Sequence, residues 1–470
     1  MMGALVTGLG ALVLTYLLVV NASYLTITAV AIRQLRRQVV YDSYEPIGHL
    51  EGNRFLPGIA VVVPAYNEEG VIVDSIRSLL ALEYRSHEVV VVNDGSTDGT
   101  VSRLVEAFDL RPVDAEYPID LQCEPVRRIY RAPDRDLVVI DKENGGKADA
   151  LNAGLFFTDQ ELFCAIDADS IIERTALKAV VEPFLTNPEE TVATGGAVRV
   201  ANGCTFRNGA LQTVDLPASR IGRFQIVEYL RAFLLGRIGL SNLNSLLIIS
   251  GAFGLFRTDI VREIGGYETE SITEDMELIV RLHRYLIESE REYDVTFLPK
   301  PVVWTEVPES RAVLSRQRRR WFRGLLDTLV RHRDAVGRRS YGVVGVFALP
   351  FFLFIEALGP LIEGIGYLLL PVFLVLGVLD PGFFVAFSVL AIGLGAVVSA
   401  LAVYGEVSTY RRYDEPGEVA VLLSYTVLEA FVYRPWRAFV SWIGLYEYLS
   451  GDRSWGEMTR TGFGTEESDD

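Results

Sequence analysis

Two long apolar zones bracket a stretch in which short apolar runs alternate with amphipathic ones. Residues 1–32 carry no charged side chain, and 3–32 is long enough to cross a hydrocarbon core. Arg33, Arg36 and Arg37 follow at once, which puts that end on the cytoplasmic side and Met1 outside. A cleaved signal peptide would carry its basic residues before a shorter apolar stretch, the reverse of this order. The second zone runs over 341–448, in blocks at 343–358, 361–379, 383–404 and 419–432. Gly359-Pro360, flanked by Glu356 and Glu363, reads either as a tight turn between two short crossings or as a kink in one long helix. Three or four C-terminal crossings result. Arg411 and Arg412 favour the odd number, and a cytoplasmic tail requires the even one.

Between these zones, residues 55–335 have the alternation of an α/β domain with a largely parallel sheet. Short Val- and Ile-rich runs at 59–63, 88–92, 137–140, 162–166 and 191–194 predict strands, and 70–81 and 148–158 predict helices between them. The expected layout is an anchor at 1–37, a domain at 55–335 ending in an interfacial helix, a membrane region at 341–449, and a cytoplasmic tail at 450–470.

Composition narrows the chemistry. The 470 residues are half hydrophobic yet carry a formal charge of −17, which fits apolar spans joined to an acidic soluble domain. Such a chain is poorly suited to sequence-independent nucleic-acid binding, which rests on neutralising phosphates. Three cysteines and four histidines are scattered, so neither a disulfide framework nor a Cys/His zinc site is indicated. A catalytic metal would take oxygen ligands, the preference of Mg2+ or Mn2+.

In folds of this class ligands bind where loops leave the carboxyl ends of the strands, and polar residues gather there. Pro64-Ala65-Tyr66-Asn67-Glu68-Glu69 follows the first strand, and Asn93-Asp94-Gly95-Ser96-Thr97-Asp98-Gly99-Thr100 follows the second. Asp-Gly-Ser-Thr alone is an ordinary turn. Two such loops at consecutive strand ends suit a nucleotide pocket, with Glu68 and Asp94 able to bond a base or ribose. Asp167-Ala168-Asp169 ends the fourth strand, and in an extended stretch both carboxylates address one cation. Gly145-Gly146-Lys147 opens a helix without matching a P-loop, and Lys147 offers a positive charge to phosphate. Ser250-Gly251-Ala252 is a further stretch that permits close approach.

With Asp94, Asp167-x-Asp169, Thr273-Glu274-Asp275 and Gln317-Arg318-Arg319-Arg320-Trp321 in this order, residues 55–335 resemble the membrane-bound, polymer-forming family 2 glycosyltransferases. That group includes cellulose, hyaluronan, chitin and poly-N-acetylglucosamine synthases, and the last of these is nearest in layout. The resemblance implies a GT-A (Rossmann-like) α/β fold, a UDP-sugar donor, a Mg2+ or Mn2+ ion, and inverting transfer to a growing β-linked polysaccharide at the cell membrane. By the same resemblance Ala65, Tyr66, Glu68, Asp94, Lys147 and Asp167 serve the donor, Asp169 is the metal ligand, and Asp275 is the general base. Glu274, Gln317, Arg320 and Trp321 then belong to the acceptor and diphosphate side. Trp455 and Arg460 are similar to an element that covers the nucleotide in hyaluronan and chitin synthases, although the spacing differs.

Each motif has a plainer reading. Thr273-Glu274-Asp275 has the form of a helix start. Residues 316–323, with Phe322, Leu325 and Leu326, form a basic interfacial helix for anionic lipid. Glu356, Glu363, Glu406 and Glu429 lie in or beside apolar blocks, where ionisable groups face a protein interior or a wet path. Beside Trp436 and Trp442 they would suit a polysaccharide path, and as interfacial or turn residues they would not. A transferase acting once on a lipid carrier would not need Gln317–Trp321, and an inactive sugar-nucleotide-binding scaffold would be expected to lose Asp275 or a metal ligand. The sugar, the linkage and any accessory membrane subunit are not legible.

Overall fold

A computed structural model describes residues 2–44, 56–114, 123–207, 210–375 and 389–452, with 377, 381, 382 and 385 besides. The chain forms two compact units. Among the described residues, one comprises Val40–Asp215 and Leu246–Val307, and the other takes the N-terminal helix as far as Val39, Leu216–Ser245 and 308–452. Within the span expected as one domain, 216–245 and 308–335 therefore fold with the apolar helices.

The first unit is built on a sheet. Its strands are β1 (Ile59–Ala65), β2 (His87–Asp94), β3 (Arg111–Val113), β4 (Val126–Arg131), β5 (Leu137–Lys142), β6 (Leu162–Ile166), β7 (Ser170–Ile172), β8 (Thr191–Val200), β9 (Thr205–Arg207), β10 (Ala210–Thr213), β11 (Phe253–Arg257) and β12 (Asp294–Thr305). Ten of them order as β3-β4-β5-β2-β1-β6-β11-β8-β12-β7, and β9 pairs with β10 separately. All five expected strands are present. β1, β2, β5 and β6 form a parallel block in which residues 59–62 of β1 are buried on both faces, the reason they read as a continuous apolar run.

The sheet as a whole is mixed, not largely parallel. β11 enters antiparallel between β6 and β8, and β3, β4 and β7 also pair antiparallel. No local period marks which neighbour a strand will take, so this insertion has no signature in the apolar pattern. The helix Lys147–Phe157 packs on β1 and β2. Gly154 is required there, since a Cβ at that position would stand 2.3 Å from Val62 Cγ1.

The second unit is helical. Its described helices include Met2–Tyr44, Arg220–Tyr229, Arg311–Arg331, Leu358–Val375, Leu394–Thr409, Pro416–Leu428 and Arg434–Leu449. Thr15–Arg37 and Val344–Leu369 are long and apolar enough to cross a membrane, and Leu394–Thr409 is a shorter apolar helix. Gly359-Pro360 lies inside a continuous helix, which excludes the tight turn between two crossings. Proline lacks an N–H and crowds the carbonyl four residues back, here that of Glu356. Glu356 falls in the widened turn Phe352–Ala357, which accommodates the ring without breaking the helix. Its carboxylate accepts the Tyr24 hydroxyl at 2.7 Å, and buried Glu429 pairs with Arg231 at 2.7 Å. These two acids thus have partners within the protein.

Candidate active site

The loops after β1 and β2 are knitted together. Asn67 N donates to Ser96 Oγ at 2.9 Å, Thr97 N donates to Asn67 Oδ1 at 2.8 Å, and Glu68 N donates to Thr100 Oγ1 at 2.9 Å. Gly99 N returns a bond to Glu69 Oε2 at 3.0 Å. Asn67 takes a positive φ of 56°, which asparagine tolerates better than most residues. Tyr66 is left half exposed at the rim, and Ala65 is buried as the last residue of β1.

Asp94 is not a loop residue. It ends β2, is 3% exposed, and spends its carboxylate inside the protein. Lys142 Nζ and Gly145 N donate to Oδ1 at 2.7 and 2.9 Å, and Gly146 N donates to Oδ2 at 2.8 Å. Lys142, the last residue of β5, is fully buried and also pairs with Asp149. This trio clamps the glycine turn from which Lys147 starts its helix. Sequence reading passed over Lys142 and Asp149. A cation ending one strand and an acid two residues past Lys147 carry no shared local pattern.

Lys147 is the hub of a second cluster. Its Nζ lies 2.6 Å from Asp167 Oδ1 and 3.1 Å from Glu274 Oε1, and donates to the Gly251 carbonyl at 2.9 Å. Burial pushes this amine down, but Asp167 and Glu274 outweigh burial and hold it well above its ordinary value. A Cβ on Gly251 would stand 3.2 Å from Asp275 Oδ2 and 3.4 Å from Lys147 Nζ. Small size at 251 thus brings together Lys147 and three carboxylates, those of Asp167, Glu274 and Asp275.

The helix Glu274–Glu288 begins where the plain reading placed it. Thr273 occupies the cap position but makes no capping bond through its side chain, and Asp275 Oδ1 accepts Met276 N at 2.8 Å. Beside this helix end a pocket is lined by Leu151, Ala165, Ser250, Gly251, Tyr267 and Asp275, among others. Tyr267 is a residue sequence reading missed. Its backbone is fixed by Asn152, which accepts Tyr267 N at 2.6 Å and donates to Tyr267 O at 2.8 Å. Burial, then Glu274 and Asp275, raise its hydroxyl pKa well above the usual value, so it stays protonated.

Asp167 and Asp169 are both part-exposed, but they do not lie along an extended strand. β6 ends at Ile166, and Asp167 to Ser170 form a turn closed by Ser170 N donating to Asp167 O at 3.0 Å. Among the described residues no three His, Cys, Asp or Glu side chains group as a metal cage. Two hard carboxylates on one turn fit an ion that takes one or two protein ligands and completes its shell with substrate phosphates.

Gln317, Arg320 and Trp321 lie on the helix Arg311–Arg331, in the other unit. Trp321 is 38% exposed, and Gln317 Oε1 accepts Arg318 Nη1 at 3.3 Å. Trp455 and Arg460 fall outside the described residues.

Residues 57–324 match the family model described as glycosyltransferase like family 2. A poly-β-1,6-N-acetyl-D-glucosamine synthase of Staphylococcus epidermidis is 30% identical over 277 residues, 58% of this chain and 56% of that protein. Its counterpart from Staphylococcus aureus (strain MSSA476) is 29% identical over 279 residues, 59% of this chain and 56% of that protein. The chain spans about half the length of the curated relatives it matches. A mannosyltransferase from Pyrobaculum calidifontis, solved in complex with GDP-Man and Mn2+, superposes with a TM-score of 0.51 at 17% identity, over 92% of this chain and 99% of that one. The fold is a GT-A glycosyltransferase fold with a mixed sheet. With more than half of its length matched to the family, the chain belongs to glycosyltransferase-like family 2 and is a glycosyltransferase.

Proposed function

We propose that the chain transfers sugar units from a UDP-sugar to a growing β-linked polysaccharide, with poly-N-acetylglucosamine as the polymer class. The observation that carries this reading is the cluster of Asp167, Glu274 and Asp275 around Lys147 beside a pocket. A single-displacement transfer needs one base and a locus of charge for the departing diphosphate, and this arrangement offers both. Asp275 takes the proton of the attacking acceptor hydroxyl. That oxygen bonds the anomeric carbon as the bond to the nucleoside diphosphate breaks, and the configuration inverts. Lys147 faces the donor, with Ala65, Tyr66, Glu68, Asp94 and Asp167 shaping its pocket. Glu274, Gln317, Arg320 and Trp321 serve the acceptor and diphosphate side. Asp169 would hold Mg2+ or Mn2+, which when bound would supply charge stabilisation to the leaving diphosphate. The length and apolar composition of Thr15–Arg37 and Val344–Leu369 support their crossing the cell membrane, and Arg33, Arg36 and Arg37 support a cytoplasmic catalytic domain.

The test is incubation of the purified full-length chain with a panel of radiolabelled nucleotide sugars, followed by sizing and glycosidase digestion of the product. Incorporation from UDP-N-acetylglucosamine into a long β-linked polymer is expected. Labelling from GDP-mannose alone would overturn the donor assignment.

A further inference from the structure

We infer that Glu228 is a positioning residue for Trp321 and acts through Arg318; this rests on the reading of Trp321 as an acceptor-side group. Arg318 occupies a variable position of the Gln-x-x-Arg-Trp signature, where it reads as filler. The structure gives it a specific place. It stands three residues before Trp321 on one helix, so the two side chains share a face. Its guanidinium carbon lies 4.1 Å from the centre of the Trp321 ring, within cation–π range.

That guanidinium is itself held. The Arg318 side chain is 4% exposed, and its Nη2 donates to Glu228 Oε2 at 2.6 Å. The Tyr433 hydroxyl donates to the same oxygen at 2.8 Å, and Arg437 Nη1 approaches Oε1 at 3.5 Å. Tyr433 is fixed in turn by the Phe224 ring, stacked at 5.3 Å and 12°. Burial pushes the Glu228 carboxyl up, and Arg318 and Arg437 outweigh it, so the group stays ionised. A planar guanidinium anchored on one side has one orientation in which to meet an indole on the other. Trp321 keeps 38% of its surface exposed, so part of it remains available to a sugar ring while Arg318 covers the ring system. Removing the Glu228 charge leaves Arg318 buried without its main counter-ion, and it must move. The indole then loses the contact that orients it.

Glu228→Gln keeps the size and the Tyr433 hydrogen bond while removing the charge. We expect acceptor KM to rise about tenfold, between the scales of an exposed and a desolvated cation–π contact, and products to shorten. Donor KM should not change. In a double-mutant cycle, Glu228→Gln added to Trp321→Ala should have no further effect on acceptor KM. Fluorine NMR of the full-length, fluorotryptophan-labelled chain supplies a readout independent of activity. The Trp321 resonance, assigned by its loss in Trp321→Phe, should move in Glu228→Gln. An unmoved resonance, or effects of the two variants that add, overturns the inference. If Trp321→Ala leaves acceptor KM and product length unaltered, the acceptor reading fails instead, and the resonance still decides the positioning. If Glu228→Gln does not fold, Arg318→Lys keeps a cation but not the planar fork, and the same resonance should move; an unmoved resonance there overturns the inference.

Discussion

The carboxylate of Asp275 and the amine of Lys147 both border the space that a side chain on Gly251 would fill, at 3.2 and 3.4 Å. Asp275→Asn keeps that shape and deletes a proton acceptor. Turnover should fall by a factor of roughly a hundred to ten thousand, with donor affinity nearly intact. Retention of more than about a tenth of wild-type turnover would remove Asp275 from the base role. For Asp169 the proposed work is different. Asp169→Ala should abolish metal-dependent donor binding, and excess chelator should do the same to the unaltered chain. Calorimetric titration of donor with and without Mn2+ separates the two conditions, and unchanged binding in chelator would rule out the metal role.

Among the elements, the join between β2, β5 and the helix Lys147–Phe157 rests on one buried cation between two buried acids. Lys142→Met would leave Asp94 and Asp149 facing each other without a counter-ion. A cost of about 3–5 kcal/mol in stability is expected, readable in denaturant unfolding of the full-length chain. A smaller loss would mean that the glycine turn is held by its amide bonds alone. The helix Glu274–Glu288 has its own tie in His283, fully buried between the Tyr293 hydroxyl and the Leu246 carbonyl, each at 2.8 Å. Burial pushes its pKa down to about 4. The unfolded chain, with an ordinary value of about 6.5, therefore binds more protons than the folded one between those values. Stability should fall as pH drops through this window, by about 3 kcal/mol at its lower end. His283→Gln should flatten that slope. An unchanged slope in the variant would assign the acid sensitivity to other groups.

For the whole molecule, a polysaccharide path through the apolar helices would join synthesis to export, and that makes a topological demand. In sealed vesicles with the catalytic unit outward, polymer should become protected from added glycosidase as it lengthens. Polymer that stays fully digestible from the donor side would defeat translocation and leave the transferase assignment standing. The apolar helices that would form such a path also bury polar pairs, as in Arg231 with Glu429. A partnered Glu429 is less available to a sugar chain than the bare pattern of acids suggested.

What the chain declares locally was readable from its order of residues. The five strands follow from period, the helix start at Glu274 from acids gathered at a first turn, and the apolar helix Thr15–Arg37 from length, all of which act over a few neighbouring positions; the continuity of Val344–Leu369 through Gly359-Pro360 did not. The polar loops were legible for the same reason, since they interrupt apolar runs. Pairings over long sequence distances were not. The antiparallel entry of β11, the seat of Lys142 between Asp94 and Asp149, and the grip of Glu228 on Arg318 each join groups whose separation no period encodes. Asp94 looked like a loop residue, and tertiary structure made it the buried end of β2, with its carboxylate on the glycine turn. Burial is a property of what the rest of the chain packs around a residue. A carboxylate's partners are therefore chosen only when the sheet and its helices close.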